Sequence, residues 1–326
     1  MISGGTRRDR TVPPDMMATF ESILPIFLLI VAGNLLRRMP VFDAATWPAL
    51  EKLGFWFLYP TLLFTTIAEA DFSGLSLDVM MIALCASISI MCVLLYGCWK
   101  VFGGAGLLSA GQFSSVFQTA IRWNGFMAFA IADKIFPPEG TAVVALVMAV
   151  IIVPINLASI YVLARFSDRD AGWGQVLKKI ATNPLILASL SAVLVRLLPG
   201  GIYSPLSETL DLVGRAALGM GLVVVGAGLR PGDLVRPSFA TVLPVVLKLA
   251  VFPALLIGIA LALGLSGMQL QYLALCAAVP TALNGYLLAR QMGGDAELYA
   301  AVTTLQTAVS FVSILAVMAI SAQFAG

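Results

Sequence analysis

The residues of this chain that are best placed to do chemistry interrupt two long apolar stretches. Asn124 and Gly125 lie in the first stretch, and the same dipeptide recurs 160 positions later as Asn284 and Gly285. Glycine loosens a helix, so both segments are expected to break the helices that contain them. The second half of a broken helix begins with free N–H groups and a positive dipole end, which together attract an anion. The chemistry predicted here is hydrogen bonding to an anion.

Other candidate residues lie close to these interruptions or inside apolar stretches. Pro280 and Thr281 precede the second Asn-Gly pair and are expected to set the geometry of that break, because proline removes a backbone donor. Arg122 precedes the first pair by two residues, and Lys248 lies in the middle of another apolar stretch. Either cation is expected to balance the charge of a bound anion. The alternatives are structural: an ion pair of Arg122 with a nearby acid, or of Lys248 with Asp133.

Composition places the chain in a membrane. It is 60% hydrophobic and only 11% charged, whereas soluble domains carry about 25% charge, so the sequence predicts an all-α integral membrane protein. The sequence has no histidine, and its four cysteines form no CxxC pair, so no metal site and no cofactor are predicted. We find no nucleophile with a base and no phosphate-binding loop, which argues against an enzyme with catalytic residues. No basic patch interleaved with aromatic residues suggests nucleic-acid binding.

Ten stretches are long enough to span a bilayer, which takes about 20 mostly apolar residues. The fourth and ninth of these predicted spans contain the two interruptions. The predicted spans are 17–37, 45–68, 76–99, 110–135, 141–165, 176–198, 205–229, 237–264, 269–292 and 296–322.

A second set of matches suggests that the chain is an internal duplication. Pro25, Arg37 and Pro40 recur as Pro184, Arg196 and Pro199, 159 positions later, and Gly54 recurs as Gly214. Five spans per copy is an odd number, so the second copy must enter the bilayer from the opposite side and form an inverted repeat. The predicted divisions are a tail that is disordered or precedes the true start of translation (1–16), a first repeat (17–165), a linker (166–175) and a second repeat (176–326).

The distribution of lysine and arginine predicts the orientation. With both termini outside, the cytoplasmic loops hold ten of these residues and the outer side holds five, in agreement with the positive-inside rule. Two broken helices at matching positions of an inverted repeat are typical of secondary transporters, whose sites lie where the breaks meet. A single Asn-Gly pair would more simply be a turn. Two competing classes are a channel with a continuous pore and a membrane-embedded enzyme that acts on lipid.

The order and spacing of several motifs resemble the auxin efflux carrier family, which includes plant PIN carriers and bacterial permeases often labelled malonate transporters. The resemblance extends from about Met17 to Ala325. The motifs that carry it are Phe57-Leu58-Tyr59-Pro60-Thr61-Leu62-Leu63-Phe64, Asn183-Pro184-Leu185-Ile186, Leu210-Asp211-Leu212-Val213-Gly214-Arg215-Ala216-Ala217-Leu218, Gly226-Ala227-Gly228-Leu229 and Ala278-Val279-Pro280-Thr281-Ala282.

The resemblance implies a scaffold part (spans 1, 2, 6 and 7) and a transport part (spans 3–5 and 8–10), in which spans four and nine cross. It implies an elevator-like carrier of a small organic anion, such as a mono- or dicarboxylate, in a bacterial inner membrane. A homodimer through the scaffold helices is also implied. The alternative is a sodium-coupled carrier of a larger organic anion, similar to the more distant bile acid symporters.

The chain departs from this family at the first crossing. The family carries a proline shortly after the asparagine, whereas this sequence has Ala128, Phe129 and Ala130 there. The family asparagine aligns with either Trp123 or Asn124. The first break is therefore expected to be less sharp than the second.

Overall fold

The computed structural model describes residues 16–166, 174, 178, 181–197, 202–235 and 237–324. All regular structure in these ranges is helical. Of the predicted tail, residues 1–15 lie outside the described residues, as do 167–173 and 175 of the predicted linker and Pro199 of the repeat matches. Six stretches of the described ranges are long and apolar enough to cross a bilayer: Thr19–Leu36, Leu77–Gly104, Pro138–Phe166, Ser204–Gly228, Phe239–Ala262 and Ala296–Gln323.

The helices follow one another with short connections. Those before the predicted linker are α1 (Met16–Leu36), α2 (Thr46–Leu53), a π-helix (Gly54–Leu58), α3 (Tyr59–Glu69), α4 (Leu77–Gly104), α5 (Ala110–Ile121), α6 (Gly125–Ile135) and α7 (Pro138–Phe166). Those after it are α8 (Pro184–Arg196), α9 (Ser204–Gly228), a 3₁₀-helix (Pro231–Leu234), α10 (Phe239–Val246), a π-helix (Leu247–Val251), α11 (Phe252–Ala262), α12 (Gly267–Ala278), α13 (Asn284–Met292) and α14 (Ala296–Gln323).

The predicted fourth and ninth spans are not continuous helices. The fourth is divided into α5 and α6, and the ninth into α12 and α13. These four segments have 12, 11, 12 and 9 residues. At 1.5 Å per residue each is less than about 20 Å long, which is too short to cross a hydrocarbon core of about 30 Å alone.

The helices form two packing groups. In the first, which we name the scaffold group, α1 packs along α9, and α3 packs between α8 and α9. In the second, which we name the transport group, α4–α7 pack with α10–α14.

Two arginines that occupy matching positions in the predicted duplication make similar contacts. Arg37 follows the end of α1, and its Nη1 donates to the carbonyl oxygen of Ala227 at 2.6 Å, near the end of α9. Arg196 ends α8, and its Nη1 donates to the carbonyl oxygens of Ile67 (3.0 Å) and Ala70, at the end of α3. Each guanidinium therefore satisfies carbonyl groups at the carboxyl end of a helix, where a positive charge is favourable.

Close backbone packing joins α1 to α9. A Cβ atom at Gly226 would overlap the carbonyl group of Ile30, and a Cβ at Gly33 would overlap the carbonyl group of Val223. Small residues allow such approach between helices in membranes, where packing rather than water drives association. In addition, Asn34 of α1 donates to the carbonyl oxygens of Gly226 (3.2 Å) and Leu229 (2.9 Å).

We predict that Gly226→Ala lowers the melting temperature of the detergent-purified protein. The added methyl group forces α1 away from α9, and such overpacking costs roughly 1–3 kcal/mol. Gly219→Ala is the matched control, because Gly219 lies on the same helix and its Cβ would meet no heavy atom of the described residues within 4 Å. Equal melting temperatures for the two variants would contradict the prediction.

Candidate functional site

The first interruption is a three-residue non-helical segment between α5 and α6. Arg122 has extended backbone angles (φ −72°, ψ 159°), which end α5 at Ile121. Asn124 then caps α6: its Oδ1 accepts from the backbone N–H of Met127 at 3.1 Å. An asparagine at this position satisfies one of the free N–H groups of a helix start. The break therefore forms although the fourth predicted span contains no proline.

The second interruption covers residues 279–283, between α12 and α13. Val279 is extended (φ −70°, ψ 150°) because the following residue, Pro280, disfavours helical angles in its predecessor. The N–H of Thr281 donates to Oε1 of Gln306 at 2.8 Å, so this backbone group is satisfied by a side chain of α14. Pro280 and Thr281 thus lie where the chain leaves α12.

The two interruptions touch. The backbone N–H of Asn124 donates to the carbonyl oxygen of Pro280 at 2.6 Å. The start of α5 lies beside the segment after α13, where the Asp295 N–H donates to the Gly111 carbonyl at 3.3 Å. At the opposite end of the first broken helix, Phe136, which follows α6, packs edge-on against Tyr272 of α12, with ring centroids 4.8 Å apart. The two broken helices therefore run in opposite directions and cross at their breaks.

Both glycines of the Asn-Gly pairs lie at close contacts. A Cβ at Gly125 would overlap the side chain of Met148, and a Cβ at Gly285 would overlap the phenol of Tyr299. Both glycines are buried, and Asn124 is 2% exposed, whereas Asn284 is exposed. The two asparagines therefore differ: Asn284 begins α13 without a side-chain cap and faces outward.

Gln306 of α14 joins both breaks to a third segment. Besides accepting from Thr281, its amide donates to the carbonyl oxygens of Thr119 (3.1 Å) and Pro244 (2.9 Å). Thr119 lies in the last turn of α5, and Pro244 lies in α10. The Gln306 side chain is 0% exposed and binds three segments at once. No motif in the sequence marks Gln306 as a site residue.

Tyr299, also on α14, supports the second break and likewise belongs to no motif in the sequence. Its hydroxyl donates to the carbonyl oxygen of Ala282 at 2.7 Å, so the Thr281 hydroxyl, 3.2 Å away, must donate to it. The signal in the sequence is a row of polar residues on one face of the tenth predicted span. All of its members are buried: Tyr299, Thr303, Gln306 and Ser310.

The cations lie at the carboxyl ends of the two first half-helices. Arg122 directly follows α5, is 7% exposed and donates from Nη2 to Oδ1 of Asn156 on α7 at 2.9 Å. Its Nε has no hydrogen-bond partner among the residues that the structure describes. Lys248 is 0% exposed and donates to the carbonyl oxygen of Ala277, at the end of α12, at 2.8 Å. Within the described ranges, neither cation forms an ion pair; the two ion pairs found there are Asp211–Arg215 and Arg230–Glu297.

An aromatic residue follows each Asn-Gly pair. The first contacts α3 of the scaffold group, and the second contacts the segment that follows α9. Phe126 stacks on Tyr59 of α3, with ring centroids 3.5 Å apart and an interplanar angle of 21°. Tyr286 lies under the guanidinium of Arg230, 5.8 Å from its ring centroid. Arg230 follows α9 and also binds Glu297 of α14, and this hydrogen bond raises the pKa of Arg230 above its ordinary value.

Comparison with known proteins finds similarity to membrane transporters. A family model described as membrane transport protein matches residues 171–318. Over these residues the chain is similar to this family of membrane transporters. An uncharacterized transporter of Methanothermobacter thermautotrophicus is 24% identical over 303 residues, which cover 91% of this chain and 97% of the relative. The uncharacterized transporter YfdV of Escherichia coli K12 is 24% identical over 285 residues, which cover 84% of this chain and 88% of YfdV.

These comparisons confirm the resemblance to a carrier family that the sequence motifs predict. They also confirm that the chain is a transporter rather than an enzyme, because the family and the relatives are membrane transporters. With its apolar helices, the chain is a multi-pass membrane protein.

Proposed function

We propose that this chain is a secondary transporter that moves a small organic anion, such as a mono- or dicarboxylate, by alternating access around the crossing of its two broken helices. The observation that carries the proposal is the hydrogen bond from the Asn124 N–H to the Pro280 carbonyl. It places both helix breaks at one point, which is where transporters of this kind bind their substrates. Asn124, Asn284 and the adjoining glycines would contact the substrate there.

The charges around the crossing favour an anion. The half-helices α6 and α13 both begin at the breaks and point their positive dipole ends toward them. Arg122 and Lys248 add two buried cations, and none of the ion pairs found among the described residues involves them. The unpartnered Nε of Arg122 offers a hydrogen bond that a substrate carboxylate would accept.

The topology proposed is an inverted repeat of five spans (17–165 and 176–326) in a bacterial inner membrane, with both termini outside. The opposite directions of the two broken helices support it. So do the matching contacts of Arg37 and Arg196, because each binds the end of a helix from the other copy. An inverted repeat produces such reciprocal contacts by symmetry.

An elevator-like motion would move the transport group against the scaffold group. The two groups pack against each other along several helices, and two of their contacts follow the Asn-Gly pairs, the first being the stack of Phe126 on Tyr59. The second contact, between Tyr286 and Arg230, is a cation–π contact near the exposed Asn284. Both contacts would have to break and re-form during transport, since rigid groups exchange contacts when they shift.

The test is uptake of labelled carboxylates, including malonate, into proteoliposomes that contain the purified chain. We predict uptake by the wild type and its loss when Asn124 and Asn284 are both replaced by alanine. Asn183→Ala is the matched control, because Asn183 caps α8 away from the crossing. All variants are first checked for folding by size-exclusion chromatography.

Unchanged uptake by the folded double variant would refute the site. Single-channel currents in planar bilayers, without saturable uptake, would instead indicate a channel. Absence of carboxylate uptake by the wild type, with uptake of another solute, would refute the substrate class.

A further inference from the structure

Lys248 is a buried cation that the protein itself holds in place. It lies in the middle of the apolar stretch Phe239–Ala262, so its side chain cannot reach the aqueous phase at either end. It takes part in none of the ion pairs among the described residues, so Asp133, the alternative partner considered for it, does not neutralise it. Ionisable residues in such positions are costly and usually functional. Lys248 therefore needs an explanation beyond packing.

The contacts of Lys248 are those of a cation bound at a helix end. Its Nζ donates to the carbonyl oxygen of Ala277 at 2.8 Å, one residue before α12 ends at Ala278. The same atom lies 4.5 Å from the centroid of the Phe252 ring. Carbonyl groups at the end of a half-helix have no helical partners and carry the negative end of the dipole. Transporters use such half-helix ends to coordinate sodium ions.

A local distortion of the backbone contains Lys248. It belongs to the π-helix Leu247–Val251, which is followed by Pro253 in the first turn of α11. Single π-turns are rare and occur frequently at functional sites. Upstream, the Pro244 carbonyl accepts from the same Gln306 amide that binds the second break. The lysine is thus carried by a segment that is fixed directly to the crossing.

We propose that the Lys248 ammonium takes the place of a coupling alkali-metal ion at the second break, so that this chain needs no sodium to form its binding site. The role of Lys248 in transport rests on the proposed function. Its binding in place of a metal cation does not. It predicts that shortening the side chain opens a position that a small external cation then occupies.

The first test measures melting temperatures in sodium chloride, methylammonium chloride and choline chloride at equal ionic strength. The wild type is expected to melt at the same temperature in all three. Lys248→Ala is expected to melt lower in choline and to gain about 3 °C in sodium or methylammonium, because a ligand that binds only the folded state stabilises it. Lys248→Met is the matched control: it fills the space without a charge and is expected to gain nothing from either cation.

Two results would overturn the proposal. One is stabilisation of the wild type by sodium over choline, which would show a separate sodium site. The other is a folded alanine variant whose melting temperature is the same in all three salts. The melting temperature of the wild type decides even if Lys248→Ala fails to fold. A higher melting temperature in sodium than in choline overturns the proposal, and equal temperatures support it.

The second test is malonate uptake into proteoliposomes in sodium or choline buffers. The wild type is expected to transport equally in both, whereas Lys248→Ala is expected to lose at least about tenfold in choline and to recover part of this in sodium. If the wild type transports no carboxylate, the proposed function fails, while the melting temperatures still decide the role of Lys248.

Discussion

Replacing Gln306 by leucine is expected to abolish transport and to lower the melting temperature of the purified protein by at least about 5 °C. Leucine has nearly the same volume but no polar atoms, so the Thr281 N–H and the Thr119 carbonyl lose their partner. The Pro244 carbonyl keeps a second donor, the N–H of Leu247. Two buried unpaired groups cost about 2–6 kcal/mol together. Because these groups belong to the two breaks, the geometry of the crossing is lost as well.

Two further variants make this prediction specific. Gln323→Leu is the matched control, because Gln323 lies at the exposed end of the same helix. Gln306→Glu keeps the acceptor for Thr281 but cannot donate to the Thr119 carbonyl when ionised, so it is expected to lose transport too. Wild-type uptake and melting temperature for Gln306→Leu would show that the amide does not position the breaks.

The two helix breaks were predictable because their causes are local. Pro280 removes a backbone donor and restrains the backbone of Val279. Asn124 is a good helix cap. Both breaks can therefore be predicted from a few neighbouring residues. The recurrence at a fixed spacing then indicated that the breaks belong together. The sequence did not reveal their asymmetry: Asn124 is buried as a cap, whereas Asn284 is exposed.

The residues that hold the breaks were not predictable in the same way. Gln306 and Tyr299 lie on an apolar helix with no motif, and their partners are distant in sequence, such as Thr119. Only the polar face of α14 points to them, and a polar face alone does not say which backbone groups it satisfies. The position of Lys248 is also hidden, because hydrophobic periodicity does not reveal the π-turn that carries it.

Replacing Arg122 by glutamine is expected to weaken the apparent affinity for a carboxylate by about 10- to 100-fold while the protein stays folded. Hydrogen bonds to charged groups are worth about 1.5–3 kcal/mol, which corresponds to this range. The Arg122 guanidinium is 7% exposed, is held by Asn156 through Nη2 and has an unpartnered Nε. Glutamine still donates to Asn156 but offers no positive charge to a substrate.

The measurement is the concentration dependence of malonate uptake into proteoliposomes, compared between Arg122→Gln and Arg122→Lys. Lysine keeps the charge but lacks the planar fork, so an intermediate affinity is expected if the substrate carboxylate binds the guanidinium edge. Arg215→Gln is the control, because Arg215 is exposed and pairs with Asp211 on its own helix. An unchanged half-saturation concentration for Arg122→Gln would place the anion elsewhere, since a buried cation that touches the substrate cannot be removed without a loss of affinity.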